Sequence, residues 1–215
     1  MKKNVLAILV LFIVNTLQAQ TASDLFYTND VKVSWLGIDF SHTKLIGAFD
    51  QIGGAFEQSP GSVKNEYFPA WNKLIVNEPK KYDVNAMLRK DNVRYDIDMI
   101  MKLNAMTSLG DIESYNAPDY GIDDLKKFVS AYDLEGKKGL GVVFINECLN
   151  KAKEEAIFHV VVLNLATKKI LIHERVIGKP QGFGLRNYWA GSIYSAIKQV
   201  KNNYYGEWKM RYKKM

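Results

Sequence analysis

A layered α/β or α+β fold is predicted by three features of this sequence. It should hold a mixed sheet containing an antiparallel hairpin, packed by helices that include a long C-terminal helix. The first feature is a pair of alternating apolar segments, Ala156 to Leu165 and Lys169 to Ile177, joined at Thr167-Lys168. The second is the stripe Leu185, Trp189, Ile193, Ile197, Val200, Tyr204 and Trp208, spaced three to four residues apart. The third is the β-branched and aromatic run Val31 to Phe40 near the start. Strands at both ends of a chain with helices between them give a layered architecture.

Taken in order, Gln20 to Asp30 is polar and reads as a loose lead-in, and Val31 to Phe40 as the first strand. Gly47, Gly53, Gly54 and Gly61 then punctuate a loop region. A helix from Ser62 to about Asn77 follows; Pro69 predicts a kink or restart inside it, and Pro79 a stop. Asp83 to Arg89 reads as one or two helical turns. Val93 to Met106 fits either period, with helix favoured from Asp96 onward. Asp119 to Tyr132 is a helix with Asp123 and Asp124 in its first turn, where they complement the helix dipole. Gly139 to Leu149 is a strand. A two-residue turn at Thr167-Lys168 would put Val161, Leu163 and Leu165 on one face with Ile170, Ile172 and Val176. The same register sets His173 opposite Val162 and His159 opposite Val176, on different faces.

The first 19 residues carry Lys2 and Lys3, an apolar run from Val5 to Val14 and a small residue at Ala19. That order is the pattern of a secretory signal peptide. The run is too short for a membrane span of about 20 apolar residues. Residues 1–19 are therefore read as the signal peptide, 20–30 as the lead-in, 31–208 as a single globular domain and 209–215 as a basic tail. The expected location is outside the cytoplasm, in the periplasm or associated with the outer membrane, and the protein is not expected to be integral to a membrane. Export excludes most enzyme classes that depend on cytosolic ATP or NAD.

Composition agrees with a packed domain, at 47% hydrophobic and 24% charged residues with five prolines. The formal charge of +6 is small, and it drops by two when Lys2 and Lys3 leave. It is also dispersed along the chain, so nucleic acid is not an expected partner. Cys148 is the only cysteine, which excludes an internal disulfide. Its setting in GLGVVFINECL predicts a buried, inert thiol.

The most distinctive local segment is Gly178 to Trp189, which joins a strand to the long helix. Lys179, Gly182, Gly184, Arg186 and Asn187 form a candidate anion site there, from glycine-exposed amides, a helix start and two cations. The spacing matches neither GxxxxGK[ST] nor GxGxxG. Asp39, Ser41 and His42 combine an acid, a hydroxyl and an imidazole at the first strand's exit. Neighbours in sequence point apart there and cannot by themselves form a triad. The carboxylate pairs Asp96/Asp98, Asp123/Asp124 and Glu154/Glu155 carry no spacing diagnostic of a glycosidase. No GxSxG, CxxC or HExxH occurs, so neither catalytic nor metal-ligating residues, nor a cofactor, are expected.

The leader ending in Leu-Gln-Ala-Gln resembles those of secreted Bacteroidetes-type proteins. The stretch from His159 to Val200 is similar in layout to small periplasmic α/β domains of the TolB amino-terminal and CsgG kind, in which a hairpin precedes a packed helix. That resemblance implies an assembly or adaptor role in the envelope rather than catalysis. The leading expectation is a non-enzymatic secreted domain that binds an envelope protein or another envelope component. Its contact surface would be Gly178 to Trp189 with Tyr205, Trp208 and Tyr212. The alternative is a hydrolase or small-ligand (anion) binding protein with a cleft near His42 or the Gly178–Trp189 loop.

Overall fold

The structure, a computed structural model, describes residues 20–47, 49 and 59–213. The segment expected to be a signal peptide, the glycine pair Gly53-Gly54 and the end of the basic tail lie outside the described residues. A six-stranded mixed sheet forms the centre, ordered β3-β1-β4-β5-β6, with β2 also paired to β4. Its strands are β1 (Val33–Asp39), β2 (Lys44–Ile46), β3 (Arg94–Tyr95), β4 (Leu140–Asn150), β5 (Glu155–Asn164) and β6 (Ile170–Gly178). β1 runs parallel to β3 and β4, while β4, β5 and β6 form an antiparallel meander. The fold is α+β.

Helices cover both faces. One layer holds a composite helix made of α2 (Pro60–Ser62), a π-helical turn (Val63–Tyr67) and α3 (Phe68–Asn77). Pro69 explains the π turn: proline has no N–H to donate, and its ring would press on a carbonyl one turn back. The sequence-predicted restart therefore appears as a wider turn. The same layer holds α4 (Val84–Leu88) and a second composite helix, α7 (Leu185–Gln199), a π turn (Val200–Tyr204) and α8 (Tyr205–Arg211). Trp35, Phe144, Phe158, Val160, Val162, Ile172 and Val176 face these helices. On the opposite face, Leu36, Val143, Ile145, Val161, Leu163 and Leu165 pack against Leu125 and Val129 of α6 (Ile122–Ser130). Ile100 of α5 (Asp98–Ala105) joins this second cluster.

The hairpin register differs from the two-residue turn by one position. Asn164 Oδ1 accepts from the amides of Ala166 and Thr167, and Lys168 takes a left-handed φ of 59°. This closes a longer turn in which Asn164 N–H bonds to the Lys169 carbonyl. Val162 then pairs with Ile172 and Val161 with His173. Ile172 and Val176 consequently join the α7 face, opposite Val161, Leu163 and Leu165. His159 and His173 end up on the same face.

Two further expectations are corrected. The lead-in is anchored, because α1 (Asp24–Tyr27) buries Leu25 completely. Tyr205 and Trp208 are not contact aromatics: both are buried, and the Trp208 indole donates to Glu174. Val93–Met106 resolves into both readings, with β3 followed by α5. Beyond β3, the outer edge of β1 is closed by side chains. Asn72 and Asn104 exchange amide hydrogen bonds of 2.7–3.0 Å with the backbone of Ile38 and Phe40. A strand edge capped in this way cannot pair with another chain.

Candidate functional site

Three polar regions carry chemistry. The first is the predicted anion loop. Gly182 (φ 121°) and Gly184 (φ 77°) adopt backbone conformations that side chains rarely reach, and Gly184 forms the N-cap of α7. The loop is stitched to its helix: Gln181 N–H donates to the Tyr188 carbonyl at 3.1 Å, and Tyr188 N–H to that of Gly184 at 2.9 Å. Asn187 spends its amide on the Phe183 carbonyl, and the Arg186 carbonyl accepts from the Trp71 indole at 2.9 Å. Arg186 is exposed on the first helical turn, whereas Lys179 lines a separate groove along α7. Of the five predicted residues, Gly182 and Asn187 lie against each other, a Cβ on Gly182 falling 3.1 Å from the Asn187 carbonyl, and only Lys179 lines the groove. What the loop does present is Phe183, 96% exposed at its tip.

The groove has a volume of about 350 Å³. Lys179 and Gln181 form one wall; Tyr194, Lys198, Asn202 and Asn203 form the other. Its floor is tight, since a Cβ on Gly191 would lie 2.3 Å from the Gln181 carbonyl.

The second region is a chain of titratable groups on the α6 face. A register shift between Asn146 and Cys148 makes Glu147 the extra residue of a β-bulge, which redirects its side chain. Glu147 is fully buried and receives Arg175 bidentately, Nε to Oε2 at 2.8 Å and Nη2 to Oε1 at 2.7 Å. His159 Nε2 lies 2.9 Å from Glu147 Oε2, and its Nδ1 lies 2.8 Å from His173 Nε2. Burial raises the Glu147 carboxyl, but hydrogen bonds from Arg175 and His159 outweigh this and hold it below the ordinary range. An ionised Glu147 fixes the tautomers: His159 donates from Nε2 and accepts at Nδ1 from His173. Burial, then the neighbouring His159, lowers His173. Glu147 and His159 are fully buried, while His173 is half-buried and Arg175 reaches the surface.

Sequence reasoning separated the two histidines and passed over Glu147 and Arg175. The available signal was a lone carboxylate inside the apolar run GLGVVFINECL, which requires a buried partner.

The third region is a cleft of about 280 Å³ at the exit of β1, lined by Ser41, His42, Lys44, Thr107, Ser108 and Tyr120 among others. Asp39 does not serve His42. Its Oδ1 accepts from the Ser41 amide and hydroxyl, and its Oδ2 accepts from Tyr132 at 2.6 Å. His42 instead stacks on Phe128 with centroids 3.7 Å apart, and burial lowers its pKa against the opposing charge of Asp39. Tyr120 donates to the His42 carbonyl; burial, then the charges of Glu147 and Asp124, push its phenol up to about 12. Asp123 and Asp124 act at the α6 start, where Asp124 accepts from Gly121 N–H at 3.1 Å. Cys148 is buried, and its thiol is raised to about 12, chiefly by burial.

These features define an α+β domain with an ionic cluster on one face, buried at Glu147 and His159 and reaching the surface at Arg175, and an open aromatic loop and polar groove on the other. Comparison with protein-family models, with curated proteins and with solved structures finds no match. Among the described residues, no helix is long and apolar enough to cross a membrane, and no group of three or more His, Cys, Asp or Glu is placed to hold a metal ion.

Proposed function

We propose that this protein is exported and acts by binding an envelope protein or another envelope component through the Gly178–Trp189 loop, rather than by catalysis. The observation that carries this reading is Phe183. A loop tied to its helix by backbone hydrogen bonds holds an aromatic ring almost wholly in water, three residues before the exposed Arg186. Aromatic and arginine side chains are the ones enriched at contact surfaces. Export is supported by the charged, apolar and small-residue order of the first 19 residues. The sequence layout of His159 to Val200, which resembles that of periplasmic adaptor domains, supports the same reading.

The test is capture from envelope extract with the mature protein, comparing wild type with Phe183→Ala and Arg186→Ala. Loss of a specific partner in both variants is expected; identical partner sets in all three would remove the loop from the reading. Cleavage after Ala19 on export would appear in the mass of the secreted chain.

A second reading, small-ligand binding near His42, is favoured by the cleft lined with Ser41, His42, Lys44, Thr107, Ser108 and Asp111, where Lys44 donates to the Asp111 carbonyl. Hydroxyls beside an imidazole and an ammonium suit a small anion that competes with Asp111. Phosphate or acetate titration should then shift the resonances of Ser41 to Lys44; silent spectra there would dismiss it.

A further inference from the structure

We propose that the groove along α7 is a binding site for an acidic saccharide, a proposal that rests on the binding role above and names a ligand class for it. The groove's polar groups fit hydroxyls. Gln181, Asn202 and Asn203 each offer a carbonyl acceptor and an NH₂ donor, and none makes a side-chain hydrogen bond among the described residues. Sugar hydroxyls both donate and accept, so amides satisfy them where lysine or carboxylate alone cannot. Gln199 differs in being committed, donating to the Ile177 carbonyl at 2.7 Å and tying the helix to the sheet edge beneath the groove.

Charge narrows the class. Lys179 and Lys198 stand on opposite walls and no carboxylate lines the groove, which selects a negatively charged ligand. Tyr194 supplies one aromatic face, half-buried and braced edge-on by Tyr82 with centroids 6.1 Å apart. Lys198 Nζ lies 5.5 Å from the Tyr194 centroid, so charge and stacking surface sit together. A single ring matches one sugar; a nucleic-acid strand would call for several stacking platforms in series.

Both walls of the groove are positioned by the fold. The π turn at Val200–Tyr204 adds a residue to the helical turn, so that Asn202 and Asn203 both reach the groove. The opposite wall is fixed because Gly191 admits the Gln181 backbone to a distance that no larger residue would allow.

The experiment titrates isotope-labelled mature protein with tetragalacturonate, with a neutral galactose tetramer and with inorganic phosphate. The uronate should shift amides of Gln181, Tyr194, Lys198, Asn202 and Asn203 in a saturable way, with the neutral sugar at least about tenfold weaker, or about 1.4 kcal/mol. Asn202→Ala/Asn203→Ala should cost a further factor of about ten, and Lys198→Glu should abolish binding, while Tyr194→Phe keeps it. Unchanged spectra at about 10 mM uronate would overturn the proposal, that being weaker than the millimolar affinity of a marginal site. So would phosphate shifting the same residues equally well, or the neutral sugar binding as tightly. Protein capture through Phe183 is read separately: if it survives while the uronate fails, the groove proposal alone falls. If capture is lost as a reading and the uronate still binds, the loop's role falls and the groove stands.

Discussion

Glu147 and Asn202 show how differently one fold spends polar side chains on its two faces. On the α6 side, Glu147 is sealed from water and saturated by Arg175 and His159. On the α7 side, Asn202 and its neighbours stand in the open with their donors and acceptors uncommitted. A buried charge is tolerable only when its partners are complete, so the first region is bound to a single geometry. An exposed amide costs little to leave unpaired, so the second is free to meet a ligand. The lesson is that the most chemically conspicuous cluster in a structure need not be the place where it meets other molecules.

The sharpest way to break this contrast is Arg175→Ala. It leaves the fully buried Glu147 charge without its main partner; because the Arg175 side chain is 41% exposed, water can partly replace it, and unfolding stability should fall by about 2–3 kcal/mol in urea titrations at neutral pH. Adding Glu147→Gln to it should recover much of that loss; an additive or worse double variant would mean that the cluster is not coupled. Next in size is Gly178→Ala. A Cβ there would meet the Ser192 carbonyl at 2.2 Å and force α7 off β6, at a cost of about 1–3 kcal/mol by the same measurement.

Acid provides a third test, because His173 and Glu147 are both lowered. For a lowered group the unfolded chain binds the proton more readily, so stability declines as pH falls below the ordinary value. Loss should begin below about 6.5 from His173 and His42 and steepen below about 4.5 from Glu147. His173→Phe should flatten part of the first stage in a pH series of melting temperatures, the remainder belonging to His42. The smallest expected effect is that of Phe183→Ala, which should leave stability within about 0.5 kcal/mol while removing partner capture. A large loss of stability would instead make Phe183 a packing residue.

Much of the architecture was legible in the sequence because it follows from periodicity. Alternation marked β5 and β6, the three-to-four spacing marked the long C-terminal helix, and paired aspartates marked the start of α6. Register was not legible, since it depended on Asn164 folding its side chain into the turn and on Lys168 accepting a left-handed backbone. Neither residue type dictates that conformation. One position of slip was enough to assign His159 and His173 to opposite faces. The bulge at Glu147 was hidden for a similar reason: an extra residue in one strand is visible only against its partner strand. The groove escaped because its second wall, Tyr194 to Asn203, reads as one more stretch of amphipathic helix, and nothing in the sequence sets it against Lys179 and Gln181.

The placement of the aromatic cores has a practical consequence for following this molecule by light. Trp35, Trp71, Trp189 and Trp208, all fully buried, belong to the layer packed by α3 and α7. The opposite layer holds Tyr132 and Phe128 but no indole. Tryptophan emission will therefore act as a one-sided lamp. A partial opening in which α6 lifts from the sheet would pass unseen in fluorescence. It would register instead as loss of helical ellipticity and as early deuterium uptake in α6.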